Sequence, residues 1–222
     1  MQKLNVELDR LYLAGAEGGT RSIALAFKKL PGDGEAGHWE RLCSLANTLQ
    51  SELGLPAPAV SISGSGSYGL WISLAKPIAP PQVLEFTELL YRVYCPEQAG
   101  AGANATPELP PQMNQVSGKW SAFIHPGMGA SFAGDEGLEV QPPEAGQVAL
   151  LEGLESITPS QFGQALDRLR KAAGASAPQA AATAPTPARA APEGLLLEDA
   201  TLEDIVNYLH SKNIEPTFRF LK

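Results

Sequence analysis

The chain has 222 residues, 44% of them hydrophobic and 18% charged, with a formal net charge of −8. That is enough apolar material for one good-sized core with chain to spare, and the acidic balance, concentrated after Gly134, argues against avid non-specific binding to nucleic acid or anionic membranes. Two cysteines, Cys43 and Cys95, make no disulfide framework and read as reduced core thiols, and no stretch approaches the ~18 apolar residues of a membrane span, so the expectation is a soluble, cytoplasmic protein without a membrane partner.

In the first 20 residues, Val6, Leu8, Leu11 and Leu13 suggest a short edge strand, and Gly15, Gly18 and Gly19 a loop after it. Residues 22–27 form a cleaner strand, with Ile23, Leu25 and Phe27 facing one way and Ala24 and Ala26 the other. From 35 to 53 the period changes. Trp39, Leu42, Cys43, Ala46, Leu49 and Leu53 recur at helical spacing, with Gly54 to end the helix and Pro56 to prevent its continuation. Val60 and Ile62 then alternate into the run Ser63-Gly64-Ser65-Gly66-Ser67-Tyr68-Gly69-Leu70-Trp71, and Leu70, Ile72 and Leu74 alternate out of it, which makes a hairpin. Pro77, Pro80 and Pro81 close the hairpin and open a second helix, striped by Val83, Phe86, Leu90 and Val93 and stopped by Pro96. Residues 97–118 read as a long surface loop, 120–125 as a fourth strand and 137–140 as a short extra one.

Strand, helix, strand, strand, helix, strand is the split βαββαβ plan of RRM-like and ferredoxin-like α+β domains, a four-stranded antiparallel sheet with two helices on one face. In that plan the first and third strands lie in the middle. The helices take the face of Ile23, Leu25, Phe27, Leu70, Ile72 and Leu74. Ala24, Ala26, Ser61, Ser63, Trp71 and Ser73 are left on an open face.

The domain is expected to span 1–172, including a helix from 158 to about 173 that opens with a capping box, Thr158-Pro159-Ser160-Gln161. Residues 173–193 are almost entirely Ala, Pro, Ser and Thr and read as a disordered linker. Residues 194–222 read as a docking segment. A helix capped by Thr201 carries Leu202, Ile205, Val206 and Leu209 on one face, and a strand-like end carries Phe218 and Phe220. A helix of about ten residues is marginal alone in water, so this segment is expected to gain its order from a protein partner.

The Gly/Ser turn invites comparison with a phosphate-binding loop, but a strand follows it rather than a helix, and no lysine is in place. His38, His125 and His210 lie far apart without ligand spacing, so no metal site, cofactor or catalytic residue is assigned. The carboxylates Asp33, Glu35 and Asp135 read as solvated loop charges. Candidate contacts for nucleic acid or another ligand are Ser63, Ser65, Ser67, Tyr68, Trp71 and His125.

The hairpin run, with the 120–127 stretch Trp-Ser-Ala-Phe-Ile-His-Pro-Gly, resembles the archaeo-eukaryotic primase superfamily, including primase-polymerases and RepB-type plasmid primases. The resemblance implies an RRM-like sheet bearing two divalent metals on an Asp-x-Asp pair in the first strand. Here the matching places hold Ala24 and Ala26, and the histidine expected in the hairpin strand is Gly69. The resemblance therefore implies a catalytically degenerate member: a binding or accessory protein in replication or maintenance of a mobile element, recruiting a partner through its C-terminal segment. The alternative is an RRM-type domain binding single-stranded nucleic acid weakly through Trp71 and Tyr68.

Residues 173–193 offer little side-chain area to offset an ordering cost of about 1–2 kcal/mol per residue. Brief digestion with a broad-specificity protease should cut there first and leave a core ending near Ala173; equal resistance of linker and core would contradict the reading.

Overall fold

Four strands arise where apolar residues alternate with small or polar ones: β1 (Thr20–Lys28), β2 (Ala59–Ile62), β3 (Ser67–Ile78) and β4 (Ala122–Ile124). The computed structural model describes residues 2–13, 18–98 and 107–176. Most of the linker and all of the docking segment, with Leu202, Ile205, Val206, Leu209, Phe218 and Phe220, lie outside the described residues. The helices are α1 (Gln2–Leu8), α2 (Gly37–Ser51), α3 (Pro80–Tyr94), α4 (Glu144–Leu151) and α5 (Pro159–Ser176), with a π-helical turn at Asp9–Leu13 and 3-10 turns at Pro96–Gln98 and Pro126–Phe132. Among the described residues no helix is long and apolar enough to cross a membrane.

The sheet is antiparallel throughout, in the order β1-β3-β2-β4. The hairpin strands β2 and β3 hold the centre, and β1 lies at one edge. This corrects the expectation that the first and third strands are the central ones: β4 pairs with β2, not with β1. Ile23 lies opposite Ile72, Leu25 opposite Leu70 and Phe27 opposite Tyr68, so the odd residues of β1 and the even residues of β3 share one apolar face. That face packs as its sequence dictates, against Leu42, Leu45 and Leu49 of α2 and Phe86 and Leu90 of α3. A third helix joins the two expected there: α5 inserts Phe162, Leu166 and Leu169, and the rings of Phe86 and Phe162 stack with centroids 5.1 Å apart.

The capping box at the start of α5 forms, with Gln161 N–H bonded to Thr158 Oγ1 and Thr158 N–H to Gln161 Oε1. The helix runs to Ser176, past the expected end near 173; Ala172, Ala173 and Ala175 favour the helix enough to carry it through Gly174. The first protease cuts are accordingly expected beyond Ser176.

The opposite face is covered, not open. Leu4, Leu8, Leu11 and Tyr12 recur at helical spacing, and this N-terminal stripe, with Val148 and Leu151 of α4, buries Ala59, Trp71 and Phe123. The edge strand expected in residues 1–20 is thus a helix continued by a π-turn. Val6 and Leu13, taken as part of an alternating strand, are 61% and 53% exposed. The polar residues that suggested an open face are instead anchors for the cover. Ser73 Oγ donates to Leu11 O at 2.7 Å, and Ser61 Oγ accepts the Trp71 indole N–H at 2.8 Å.

The outer edge of β4 is closed by a side chain. Gln147 of α4 is buried; its Oε1 accepts Phe123 N–H at 2.8 Å and its Nε2 donates to Phe123 O at 3.0 Å, replacing the pair of bonds a fifth strand would make.

Truncating a buried tryptophan costs about 3–5 kcal/mol. Trp71→Ala should lose that much in urea denaturation followed by circular dichroism. A loss under ~1 kcal/mol would mean that the face is open in solution.

Candidate functional site at the Gly/Ser turn

The turn between β2 and β3 is shaped by Gly64 and Gly66, at φ +72° and +82°, backbone angles that favour glycine. Its donors point into the turn itself. Ser63 Oγ accepts the N–H groups of Ser65 and Ser67, both at 3.1 Å, and lies 3.1 and 2.9 Å from their hydroxyls. Gly64 N–H goes to Glu136 O at 2.6 Å. The amides of Gly64, Ser65 and Ser67 are therefore engaged in holding the turn closed.

Two further segments converge on this turn. Ser117 Oγ donates to Gly64 O, and a Cβ on Gly64 would lie 2.8 Å from Lys119 O, so only glycine permits the approach. From the other side comes the 134–138 strap, where Leu138 exchanges backbone bonds with Trp120 at 2.8 and 3.0 Å. The extra strand expected at 137–140 is reduced to this single bridge. Between turn, loop and strap lies an open groove of about 500 Å³, bordered by Ser65, Asn114, Ser117, Lys119 and Asp135. Lys119 Nζ grips the Asp135 carboxylate and lies 3.5 Å from Glu139; the hydrogen bond to Asp135 raises the lysine's pKa.

Beneath the groove is a buried histidine–carboxylate hydrogen bond. His38, fully buried on α2, places Nε2 2.5 Å from Glu136 Oε1, which also accepts Gly134 N–H at 3.1 Å. His38 Nδ1 has no partner among the described residues. A bare lone pair is easier to bury than a bare N–H, which assigns the ring proton to Nε2, donating to Glu136. The pair pins the strap to α2 below the turn.

The candidate residues separate in the structure. Ser63, Ser65, Ser67 and Tyr68 lie together at the turn, but Tyr68 is fully buried on the α2 side. Its ring lies 5.0 Å from both His38 and Trp39, and its hydroxyl donates to Gly129 O at 2.8 Å. Burial, and secondarily the Glu136 charge, drives the phenol's pKa strongly upward. Trp71 is on the other face, 3% exposed, with ring centroids 5.7 Å from Tyr12 and 6.1 Å from Phe123. Neither aromatic is presented for a base to stack on. His125 is exposed and caps the 3-10 turn that follows it, its Nδ1 accepting Gly127 N–H at 3.0 Å. The three loop carboxylates do not converge. Asp33 is bound by Arg41, whose hydrogen bonds hold its pKa down to about 2; Asp135 is bound by Lys119, and Glu35 is exposed.

The places matched to the primase metal and histidine positions belong to the covered face. Ala24 and Ala26 lie opposite Trp71 and Gly69. A Cβ on Gly69 would fall 2.5 Å from Ser61 Oγ and 2.8 Å from Trp71 Nε1, so the indole and its serine occupy the space a side chain at 69 would need. Among the described residues no group of three His, Cys, Asp or Glu side chains is placed to hold a metal ion.

Sequence reasoning missed His38, Lys119, Glu136 and Gln147. His38 and Glu136 lie 98 positions apart, and no spacing rule joins them; the one local hint is a histidine among the apolar positions that open α2. The chain matches no protein-family model, and no curated protein matches its sequence.

Two variants check this geometry. Leaving a buried N–H without its acceptor costs about 1–3 kcal/mol, so Glu136→Ala, which strips His38 Nε2–H of its partner, should lower the melting temperature by several degrees in calorimetry, while the exposed control Glu139→Ala leaves it within a degree. Gly69→His should cost about 1–3 kcal/mol through overpacking; a variant as stable as the parent would show that Trp71 does not fill that space.

Proposed function

We propose that the chain is a non-catalytic, primase-like binding or accessory protein that recruits a protein partner through residues 194–222, in replication or maintenance of a mobile element. The observation that carries this reading is the covered sheet face. In the resemblance, that face bears the metals at the positions of Ala24 and Ala26 and a histidine at that of Gly69. Here Ala24 packs against the cluster of Leu11, Tyr12 and Trp71, Ala26 lies beside Gly69, and the Trp71 indole fills the space above Gly69, with Ser61 and Ser73 committed to hydrogen bonds. In-line phosphoryl transfer needs carboxylates to position its metals, and alanine and glycine supply none. The split βαββαβ plan enters with a variation, since the element order follows it while the fourth strand docks on β2.

A base-stacking role of RRM type requires aromatics on an open sheet. The burial of Trp71 and Tyr68 removes that platform, so partner recruitment is the reading retained.

Two experiments test it. With Mn²⁺ or Mg²⁺ and nucleotides, the purified protein should synthesise no primer; synthesis that survives removal of trace contaminating polymerase overturns the proposal. In affinity capture from the native host, the full chain should retain a defined partner. Leu202→Ser, Val206→Ser and Leu209→Ser together should lose that partner while the melting temperature of the core stays within about a degree. Capture unaffected by the triple variant would place recruitment elsewhere on the chain.

A further inference from the structure

The two edges of the sheet are treated differently, and the register shows what the untreated one offers. Gln147 takes both backbone groups of Phe123, so Phe123 faces away from β2. In an antiparallel ladder, residues alternate between bonding one neighbour and facing the other way. The pairings Ser61↔Phe123, Ser61↔Gly69 and Ala26↔Gly69 carry that alternation across the sheet. They turn the backbone groups of Ser22, Ala24, Ala26 and Lys28 outward along β1.

Both ends of this row are occupied. Thr20 Oγ1 donates to Ser22 O at 3.0 Å, and Arg41 Nη2 donates to Lys28 O at 2.9 Å. Between them the N–H and C=O groups of Ala24 and Ala26 have no partner among the described residues. Beside this window runs a cleft of about 450 Å³ between β1 and α3, walled by Ile23, Val83, Leu84 and Thr87. Leu84 is 54% exposed there.

We infer that β1 is a docking edge for an extended peptide segment of another protein, added as a fifth strand through Ala24 and Ala26, its alternate side chains apolar and packed along Val83 and Leu84, with an acidic residue at the end beside Lys28 and Lys29. Strand addition supplies main-chain hydrogen bonds and takes its specificity from alternate side chains in flanking pockets. The acidic end follows from charge. Lys28 and Lys29 are both exposed, without an ion pair among the described residues. Glu88 on the cleft wall disfavours a uniformly acidic peptide, so the acid belongs at the lysine end.

Charge also weighs against a second copy of this chain. Antiparallel self-pairing that matches the two windows sets Ala24 against Ala26 of the other copy and gathers Lys28, Lys29 and the other copy's Arg21 at each end, an accumulation of like charge with no acid on β1 to offset it. The inference rests on the sheet geometry and the charges along the edge, and is independent of the primase resemblance.

Hydrogen exchange followed by NMR on the full chain tests it. In the free protein the amides of Ala24 and Ala26 should exchange about 100-fold or more faster than those of Ile23, Leu25 and Phe27, which bond to β3. The probe acetyl-Glu-Val-Thr-Val-Thr-Val-Glu-amide should slow both alanine amides at least about tenfold. The same peptide with lysine at both ends should not, and the Lys28→Glu, Lys29→Glu double variant should abolish the effect. Slow exchange in the free protein overturns the inference: if independent of concentration, the chain's own residues already fill the edge, and if concentration-dependent, a second copy does. Failure of the acidic probe to slow exchange also overturns it.

Discussion

The Trp71 indole is the element on which the second face of the sheet depends. Its N–H is satisfied by Ser61 Oγ, its ring packs against Tyr12 and Phe123, and it fills the space above Gly69. A buried indole needs a partner for its N–H and apolar surface over its ring. The first need accounts for a buried serine at 61; the second is met by the N-terminal helix and α4. Once this cover is in place, Ser73 has a carbonyl to bond, and the N-terminal stripe is tied to the sheet by a polar contact as well as by packing.

The Gly/Ser turn illustrates how a ligand-like composition can serve structure. Glycine at positive φ and closely spaced hydroxyls are what an anion cradle requires, and also what a turn needs to satisfy its own amides. The difference lies in where the N–H groups point. Here Ser63 Oγ takes those of Ser65 and Ser67, and Glu136 O takes that of Gly64. The groove outside retains Lys119 and Asp135, already paired with each other, above a His38–Glu136 pair with almost no contact with water. A buried hydrogen bond of this kind adds about 1 kcal/mol when complete and costs more when one partner is lost, because the other is left unsatisfied. Its effect here is to fix the strap's position.

Edge strands are a hazard that folds manage by capping, charge or bulges. One edge of this sheet is closed by a buried amide; among the described residues the other is closed only at its ends, by Thr20 and Arg41. The lysines beyond Phe27 act against self-pairing without closing the edge to an oppositely charged strand. Resistance to self-pairing and acceptance of a foreign strand are therefore compatible on one edge.

The sequence by itself determined the strands around 22–27, 60–62 and 69–75, helices α2, α3 and α5, the capping box at Thr158, and the face bearing Ile23, Leu25, Phe27, Leu70, Ile72 and Leu74. These follow from local periodicity, capping residues and turn chemistry, which act over a few positions. The tertiary structure alone decided strand order, because β4 docks on whichever edge best completes its burial and no local pattern encodes that choice. It also decided the fate of the second face. Serine, alanine and one tryptophan read the same whether they meet solvent or a helix, and Leu4, Leu8 and Leu11 reveal a helix only once Val6 and Leu13 are known to be exposed. The candidate site divided likewise: the turn was legible as a turn, whereas the pairing of His38 with Glu136, and of Gln147 with Phe123, depends on residues far apart in sequence whose partners are fixed only when the chain is folded.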